Sequence, residues 1–251
     1  MTRDEMVLQL SELAPFLHRV ALPHGLTTTT PTGRGGNHGA RPQDLIDHVW
    51  PRMQKQFGGN LNGLRVLDVA CNCGGFSFEA ANSGASDVLG IDIVDRYIEQ
   101  ANFIKAAVGV KNVSFEKCSL DDLSPGTHGL FDIALCFGIL YHLENPVASM
   151  RRIAAVTRKV MVVDTNVMTT TDDLPVWQMK ISGGPIGDKD VTSLWRPAEG
   201  VCQFVPSRAA VARLLQFLGF PTVAYLEPTG QILREPRYRE GRRGTFIAIR
   251  D

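Results

Sequence analysis

The chain has 251 residues, 44% of them apolar and 21% charged, with 26 basic and 26 acidic side chains and a formal net charge of zero. That length suffices for one large domain with a full core, and the even charge balance argues against a nucleic-acid partner, which calls for a basic surplus on one face. Five cysteines without a C-x-x-C spacing suggest neither a disulfide framework nor a zinc cluster, and with neither a signal peptide nor an apolar run approaching the ~20 residues of a membrane span, a cytoplasmic protein is expected.

Met6, Leu10, Leu13 and Leu17 recur at helical spacing and predict an amphipathic helix over residues 3–18, with Pro15 leaving its end open. From Leu22 the chain turns to Pro, Gly and four consecutive threonines, Thr27 to Thr30, and reads as a mobile loop as far as Gly39. His18, just before this region, and His24 and His38 within it are each either a surface histidine or a contact to a substrate. Residues 42–57 predict a second helix with Leu45, Ile46, Val49 and Met53 on one face; Pro42 suits its first turn and Pro51 predicts a kink or break.

The central stretch runs from Leu64 to Ala81. Val66, Leu67 and Val69 form a short apolar strand interrupted by Asp68; Ala70-Cys71-Asn72-Cys73-Gly74-Gly75 is a tight turn; a helix follows to about Asn82. A second strand, 87–91, ends at Asp92, which lies 24 residues after Asp68 and suits hydrogen bonds to both hydroxyls of a ribose. A dinucleotide would set its pyrophosphate over the turn and needs G-x-G-x-x-G, which is missing, and Asp68 would repel it. S-adenosylmethionine carries an ammonium and a sulfonium, so an acid beside the turn attracts it in a partly dry pocket. The turn is therefore read as a site for that cofactor, against the plainer reading of a solvated acid at a strand end.

Tyr97, Ile98, Ala101, Ile104 and Val108 mark the next helix, and residues 113–116 a third strand. The segment 118–123 is a loop, and Ser124 to Gly129 a surface turn. A fourth strand covers 131–136; Cys71, Cys118 and Cys136 sit beside strand ends as small buried hydrophobes. The loop after it, from Phe137 to Pro146, carries Tyr141 and His142. An imidazole with a reference pKa of ~6.5 is mostly neutral near pH 7, which makes His142 the best general base in the chain, with Tyr141 as an alternative donor or wall. The competing reading has His142 only orienting its loop. A fifth strand, 159–164, places Asp164 at the sheet's functional edge, where it would hold an acceptor hydroxyl or, with Asp172 or Asp173, a divalent ion; no tight ligand spacing supports a metal. Residues 167–203 leave the sheet pattern, and Trp177 and Trp195 in them either stack on a substrate face or anchor the segment. Pro206 is expected to open a helix with Ser207 in its first turn and Gly219 as its stop; strands follow at about 222–227 and 245–249. Arg234, Arg237, Arg239, Arg242 and Arg243 lie between them, either gripping a phosphate or forming a solvated hairpin offset by Glu235 and Glu240.

Three stretches carry a family resemblance: Val66 to Ser77; Gly138-Ile139-Leu140-Tyr141-His142-Leu143 with Asn145-Pro146; and Phe204-Val205-Pro206-Ser207 with Leu218-Gly219-Phe220. Over residues 45–250 the chain resembles the class I S-adenosylmethionine-dependent methyltransferases, nearest to the group that includes the tRNA wobble-uridine carboxymethyltransferase. The resemblance implies an α/β, Rossmann-like, doubly wound sheet of seven strands, mostly parallel with the last strand antiparallel. It implies a division into N-terminal helices with a lid loop (1–60) and a cofactor domain (61–251) whose insertion, 167–203, shapes the acceptor pocket. The cofactor contacts it implies are Asp68, Ala70, Cys71, Asn72, Gly74, Asp92 and Ile93 around the turn, Ser119 and Leu120 over the adenine, and Phe137 and Gly138 at the methionine end. Acceptor contacts would come from Tyr141, Asp164, Trp177 and Trp195. Two positions depart from the family: Ala70 replaces its first glycine, and Ser119 replaces the acid often found at the adenine position.

The expected function is O-methylation of a hydroxyl on a small molecule, a sugar or a secondary metabolite, with His142 as the base. A tRNA-modifying enzyme and a non-catalytic cofactor-binding protein are the alternatives.

Overall fold

The computed structural model describes residues 1–28, 41–169, 174–182 and 201–250. In chain order the helices and strands are α1 (Arg3–Leu13), α2 (Arg41–Lys55), β1 (Arg65–Val69), α3 (Gly75–Asn82), β2 (Asp87–Asp92), α4 (Asp95–Val108), β3 (Val113–Lys117), α5 (Pro125–His128), β4 (Phe131–Phe137), α6 (Pro146–Val156), β5 (Thr157–Asn166), β6 (Trp177–Ser182), β7 (Val201–Pro206), α7 (Arg208–Phe217), β8 (Thr222–Leu226), α8 (Pro236–Arg239) and β9 (Arg243–Ile249). The main sheet has seven strands in the order β3-β2-β1-β4-β5-β9-β8, and β6 and β7 form a separate two-stranded sheet. β1, β2 and β3 pair in parallel, as do β4 and β5, whereas β9 runs antiparallel to both β5 and β8. This is the expected doubly wound α/β sheet with an antiparallel last strand. β8 and β9 are antiparallel neighbours joined by residues 227–242, which include α8.

The chain forms two compact units, Met1–Cys118 and Ser119–Asp251. In the first, Val66, Leu67 and Val69 of β1 and Val88 and Ile91 of β2 are buried, as expected of parallel strands covered on both faces. The N-terminal helices belong to this unit: α1 packs on α4 and α2 on α3. α1 ends at Leu13, earlier than its apolar spacing suggests, because Pro15 forces Ala14 into extended backbone (φ −61°, ψ 154°). Its start is a capping box between Thr2 and Glu5. α2 runs through Pro51 as one element. The segment after α1 folds back on itself over 18–28, where Ala21 bridges Thr27 and the Thr28 hydroxyl donates to the His18 carbonyl at 2.6 Å.

In the second unit β4 and β5 are buried along most of their length, and β9 continues that core with Phe246, Ile247 and Ala248. Ser124 caps a short helix, α5, where a plain turn was expected. The last long helix begins two residues later than expected. Pro206 closes β7, and Ser207 is the N-cap of α7, its hydroxyl accepting from the Ala210 N–H at 3.1 Å. The same hydroxyl donates to the Leu174 carbonyl and accepts from the Val176 N–H at 3.2 Å, so one fully buried atom ties α7 to the strand entering the small sheet. Ser207→Ala is expected to cost about 1–2 kcal/mol, seen as a drop of ~2–4 °C in Tm per kcal/mol in thermal unfolding. An unchanged melt would show the cap to be idle.

Candidate functional site

The turn after β1 takes left-handed backbone at three positions, Ala70 (φ 55°), Asn72 (φ 53°) and Gly74 (φ 83°). Asparagine tolerates that region, but alanine pays roughly 1–2 kcal/mol for it, so other bonds must hold the turn. The Cys71 N–H donates to the Ile91 carbonyl at 2.9 Å, the Asn72 N–H to Asp92 Oδ2 at 3.0 Å, and the Cys73 N–H to Asn72 Oδ1 at 2.8 Å. Position 74 requires glycine twice over: a Cβ there would lie 2.6 Å from the Phe115 ring, and its φ is positive. The Gly75 N–H, at the start of α3, donates to His18 Nδ1 at 3.1 Å, and the His18 ring packs edge-on against Phe76. His18 therefore braces the turn. His24 is exposed, and His38 lies outside the described residues.

Asp68 and Asp92, on either side of the turn, are both buried. Asp68 Oδ2 accepts from the Ser77 hydroxyl at 2.6 Å. Burial pushes the Asp68 carboxyl up to about 7, the Ser77 hydrogen bond opposing and the charge of Asp92 adding to the shift. Asp92 accepts from the Asn72 and Val94 N–H groups, each at 3.0 Å; burial raises its carboxyl too, against the pull of those N–H groups. Among the described residues neither acid pairs with a side-chain cation. Beside Asp92, Ile93 is 62% exposed, an apolar surface suited to the face of a purine. Buried carboxylates without a protein counter-ion next to an exposed apolar side chain suit S-adenosylmethionine, whose ammonium and sulfonium supply the missing positive charge. The turn would contribute backbone at Ala70, Cys71 and Asn72. The Cys71 thiol is buried, and burial holds it well above the ordinary thiol range.

The second unit holds the remaining expected contacts. Ser119 makes a local turn, its hydroxyl accepting from the Asp121 N–H at 3.2 Å, and Leu120 beside it is half-buried. After β4 the chain turns at Gly138 (φ 80°), whose N–H donates to the Asp164 carbonyl at 2.8 Å and so pins the loop to the end of β5. Phe137 at the end of β4 is half-buried. A short 3₁₀ turn, Leu140–His142, follows, anchored by fully buried Leu140. It presents Tyr141 and His142, both half-buried, with ring centroids 4.0 Å apart. His142 Nδ1 lies 3.1 Å from the Gln203 carboxamide nitrogen of β7. Nothing in the sequence pattern singles out Gln203, because it reaches His142 only through the fold of the small sheet.

Asp164 requires a correction. It is fully buried, and both of its oxygens are taken. Oδ1 accepts from Arg243 Nε at 2.7 Å and from Arg243 Nη2; Oδ2 accepts from the Thr245 hydroxyl at 2.8 Å and from the Tyr238 hydroxyl. The pairing of Asp164 with Thr245 across β5 and β9 sets these groups side by side. The carboxylate thus holds the antiparallel strand in place and has no oxygen facing an acceptor, nor does it serve as a reserve base. Burial works to lower the Arg243 guanidinium, but Asp164 more than offsets this and leaves it above its ordinary range. The guanidinium also lies 5.8 Å from the Tyr141 ring centroid. Three more arginines of the run have local partners: Arg237 pairs with Glu235 at 2.8 Å, Arg242 with Glu240, and Arg234 with Gln231. Trp177 is half-buried at the start of β6, opposite Pro206, and Trp195 lies outside the described residues.

The Asp68 geometry sets a pH dependence. An unfolded aspartate titrates at ~3.9, so with the folded carboxyl near 7 the stability from this group is complete below about pH 4 and lost as pH rises through 7. Asp68→Asn keeps an acceptor for Ser77 and should raise the Tm of the cofactor-free protein at pH ~8, the gain shrinking towards pH ~5.5. The same variant should weaken S-adenosylmethionine binding and abolish its pH dependence; calorimetry on the wild type should show tighter binding as pH rises through 7, with proton release. Equal wild-type affinities across that range would refute the role of Asp68. Asp92→Ala removes the acceptor for two backbone N–H groups as well as for a ribose, so it should lose more affinity than Asp92→Asn, which keeps one oxygen acceptor. Indistinguishable affinities for wild type and both variants would remove Asp92 from the site.

Residues 60–192 match the methyltransferase-domain family. The chain is 33% identical over 118 residues to the ubiquinone biosynthesis O-methyltransferase of Bordetella avium, covering 47% of this chain and 48% of that one. It is 26% identical over 203 residues to the tRNA U34 carboxymethyltransferase of Alteromonas mediterranea, covering 76% of this chain and 54% of that one. The chain thus spans about half the length of the curated relatives it matches. Its fold is similar to that of the N-terminal domain of EvdMO1, crystallised with S-adenosylhomocysteine and D-fucose, with a TM-score of 0.71 at 20% identity over 99% of this chain and 96% of that one. With the match covering more than half of its length and the seven-stranded sheet on which the family is built, the chain belongs to the methyltransferase-domain family, as a class I methyltransferase that uses S-adenosylmethionine.

Proposed function

We propose that the protein O-methylates a small molecule bearing a hydroxyl, a sugar or a secondary metabolite. The observation that carries this reading is His142, a half-buried imidazole on the loop after β4, with its Nδ1 at hydrogen-bond distance from Gln203. A hydroxyl is a weak nucleophile until its proton leaves, and a positioned imidazole accepts that proton near neutral pH. S-adenosylmethionine supplies the methyl group as an electrophile. The chain's own work is to hold the ribose at Asp92, balance positive charge with Asp68, and align the acceptor beside His142. The 33% identical O-methyltransferase supports the hydroxyl as acceptor atom.

The tRNA reading has one observation in its favour, the longer alignment with the carboxymethyltransferase. Against it stand the zero net charge and an arginine run whose members are largely engaged with neighbouring side chains. Among the described residues no helix is long and apolar enough to cross a membrane.

The test is a screen for S-adenosylhomocysteine release against sugars including D-fucose, phenols and bulk tRNA. Turnover of a sugar or phenol is expected. With that acceptor, His142→Ala should lower kcat by ~10²–10⁴-fold with cofactor affinity nearly intact, and His142→Gln, which cannot carry the proton, should stay nearly as poor. Full activity in the glutamine variant would reduce His142 to a loop-orienting residue, and no turnover of any acceptor would favour a non-catalytic cofactor-binding protein. No tRNA complex is expected in a gel-shift assay at physiological salt; a tight, salt-sensitive one would replace the small-molecule reading.

A further inference from the structure

We infer that Gln203 is a positioning residue that sets which nitrogen of His142 carries the proton; this rests on the reading of His142 as the acid–base group. The two side chains meet through one contact, Gln203 Nε2 to His142 Nδ1 at 3.1 Å. β7 packs directly on the Leu140–His142 turn, and Gln203 is held in register opposite Lys180 of β6. Alternation along β7 turns Cys202 and Phe204 to the other face.

The chemistry follows from the donor inventory. A carboxamide NH2 only donates, and its carbonyl only accepts. With the NH2 towards Nδ1, as here, Nδ1 accepts, the neutral ring carries its hydrogen on Nε2, and its outer nitrogen is a donor. Turned by half a rotation about Cγ–Cδ, the carboxamide offers Oε1 to an Nδ1–H, and Nε2 presents the lone pair a base needs. Once the ring has taken a proton it bears hydrogen on both nitrogens, and only the carbonyl-facing arrangement remains compatible. One uncharged side chain thus serves both states of His142, as a donor in the resting tautomer and an acceptor for the imidazolium. A carboxylate there would hold the ring in one state.

The 3₁₀ turn packs against β5, α6 and β7. On β5, Asp164 is neutralised by Arg243; on α6, Arg151 lies over the Phe217 ring and Arg152 pairs with Asp121 at 3.4 Å; Glu144, two residues along the loop, is exposed. The Tyr141 ring lies beside that of His142 within the turn, tilted at 47° to it.

The test is independent of the acceptor. The full-length protein, labelled with 15N-histidine and saturated with S-adenosylhomocysteine, is titrated by NMR, His142 being assigned by its loss in His142→Gln. Gln203→Glu should move the His142 midpoint upward, raising proton affinity by about tenfold or more, and shift the ring to the Nδ1–H tautomer. Gln203→Leu, which offers the imidazolium no acceptor, should move the midpoint downward. If Gln203 merely anchors the small sheet, both variants will lower stability while the His142 midpoint and 15N pattern stay at wild-type values, and the inference falls. The two readings fail separately: an active His142→Gln enzyme overturns the base assignment, whereas an unmoved titration in both Gln203 variants overturns the role of Gln203.

Discussion

Burying a carboxylate is expensive unless something balances its charge, and this protein does so at the ends of three parallel strands. Asp68, Asp92 and Asp164 lie at or near the C-terminal ends of β1, β2 and β5, all buried. Their roles diverge because their partners do. Asp164 has an internal cation, Arg243, and hydrogen bonds from the Thr245 and Tyr238 hydroxyls, and is closed to any ligand. Asp92 has backbone N–H groups, which stabilise its charge without neutralising it. Asp68 has one hydroxyl, and burial leaves it titrating near 7. A cationic ligand is the natural completion of the last two and has nothing to offer the first.

The same bonds that stabilise Asp92 shape the turn beside it. The Asn72 N–H to Asp92 contact joins the Cys71 and Cys73 N–H bonds in holding two non-glycine residues in left-handed backbone. Phe115 lies against Gly74, and His18 against Gly75, so the turn is wedged between a side chain of β3 and one from the N-terminal segment. The N-terminal segment therefore contributes His18 to the rigidity of the turn after β1, a role quite different from touching a substrate.

In the second unit the small sheet matters most. Its strands come from the part of the chain that leaves the main sheet's pattern. Ser207 ties one end of it to α7, and Gln203 presents a carboxamide to His142. Arg243 lies behind Tyr141 while held by Asp164, so the antiparallel strand that completes the main sheet also backs the aromatic wall next to His142. Fold and site share these residues.

The strands of the main sheet, the turn after β1 and the identity of its two acids were legible in the sequence, because short apolar runs ending in an acid and a small-residue turn are local patterns set by strand and helix periodicity. The expected α7 start and the length of α1 missed by a few residues where a proline or a serine cap decided the boundary, since one hydrogen bond or one pre-proline clash outweighs apolar spacing at a helix end. The fate of Asp164 was beyond local reading. As a strand-end acid it is indistinguishable in sequence from Asp68 and Asp92, and only the antiparallel insertion of β9, 79 residues further on, brings Arg243 against it. Gln203 was hidden for the same reason, lying 61 residues from His142 in a stretch without a periodic signal. The sequence by itself determined which groups stand at the edge of the sheet; the tertiary structure decided which of them keep their charge for a ligand, because that depends on counter-ions delivered from distant parts of the chain.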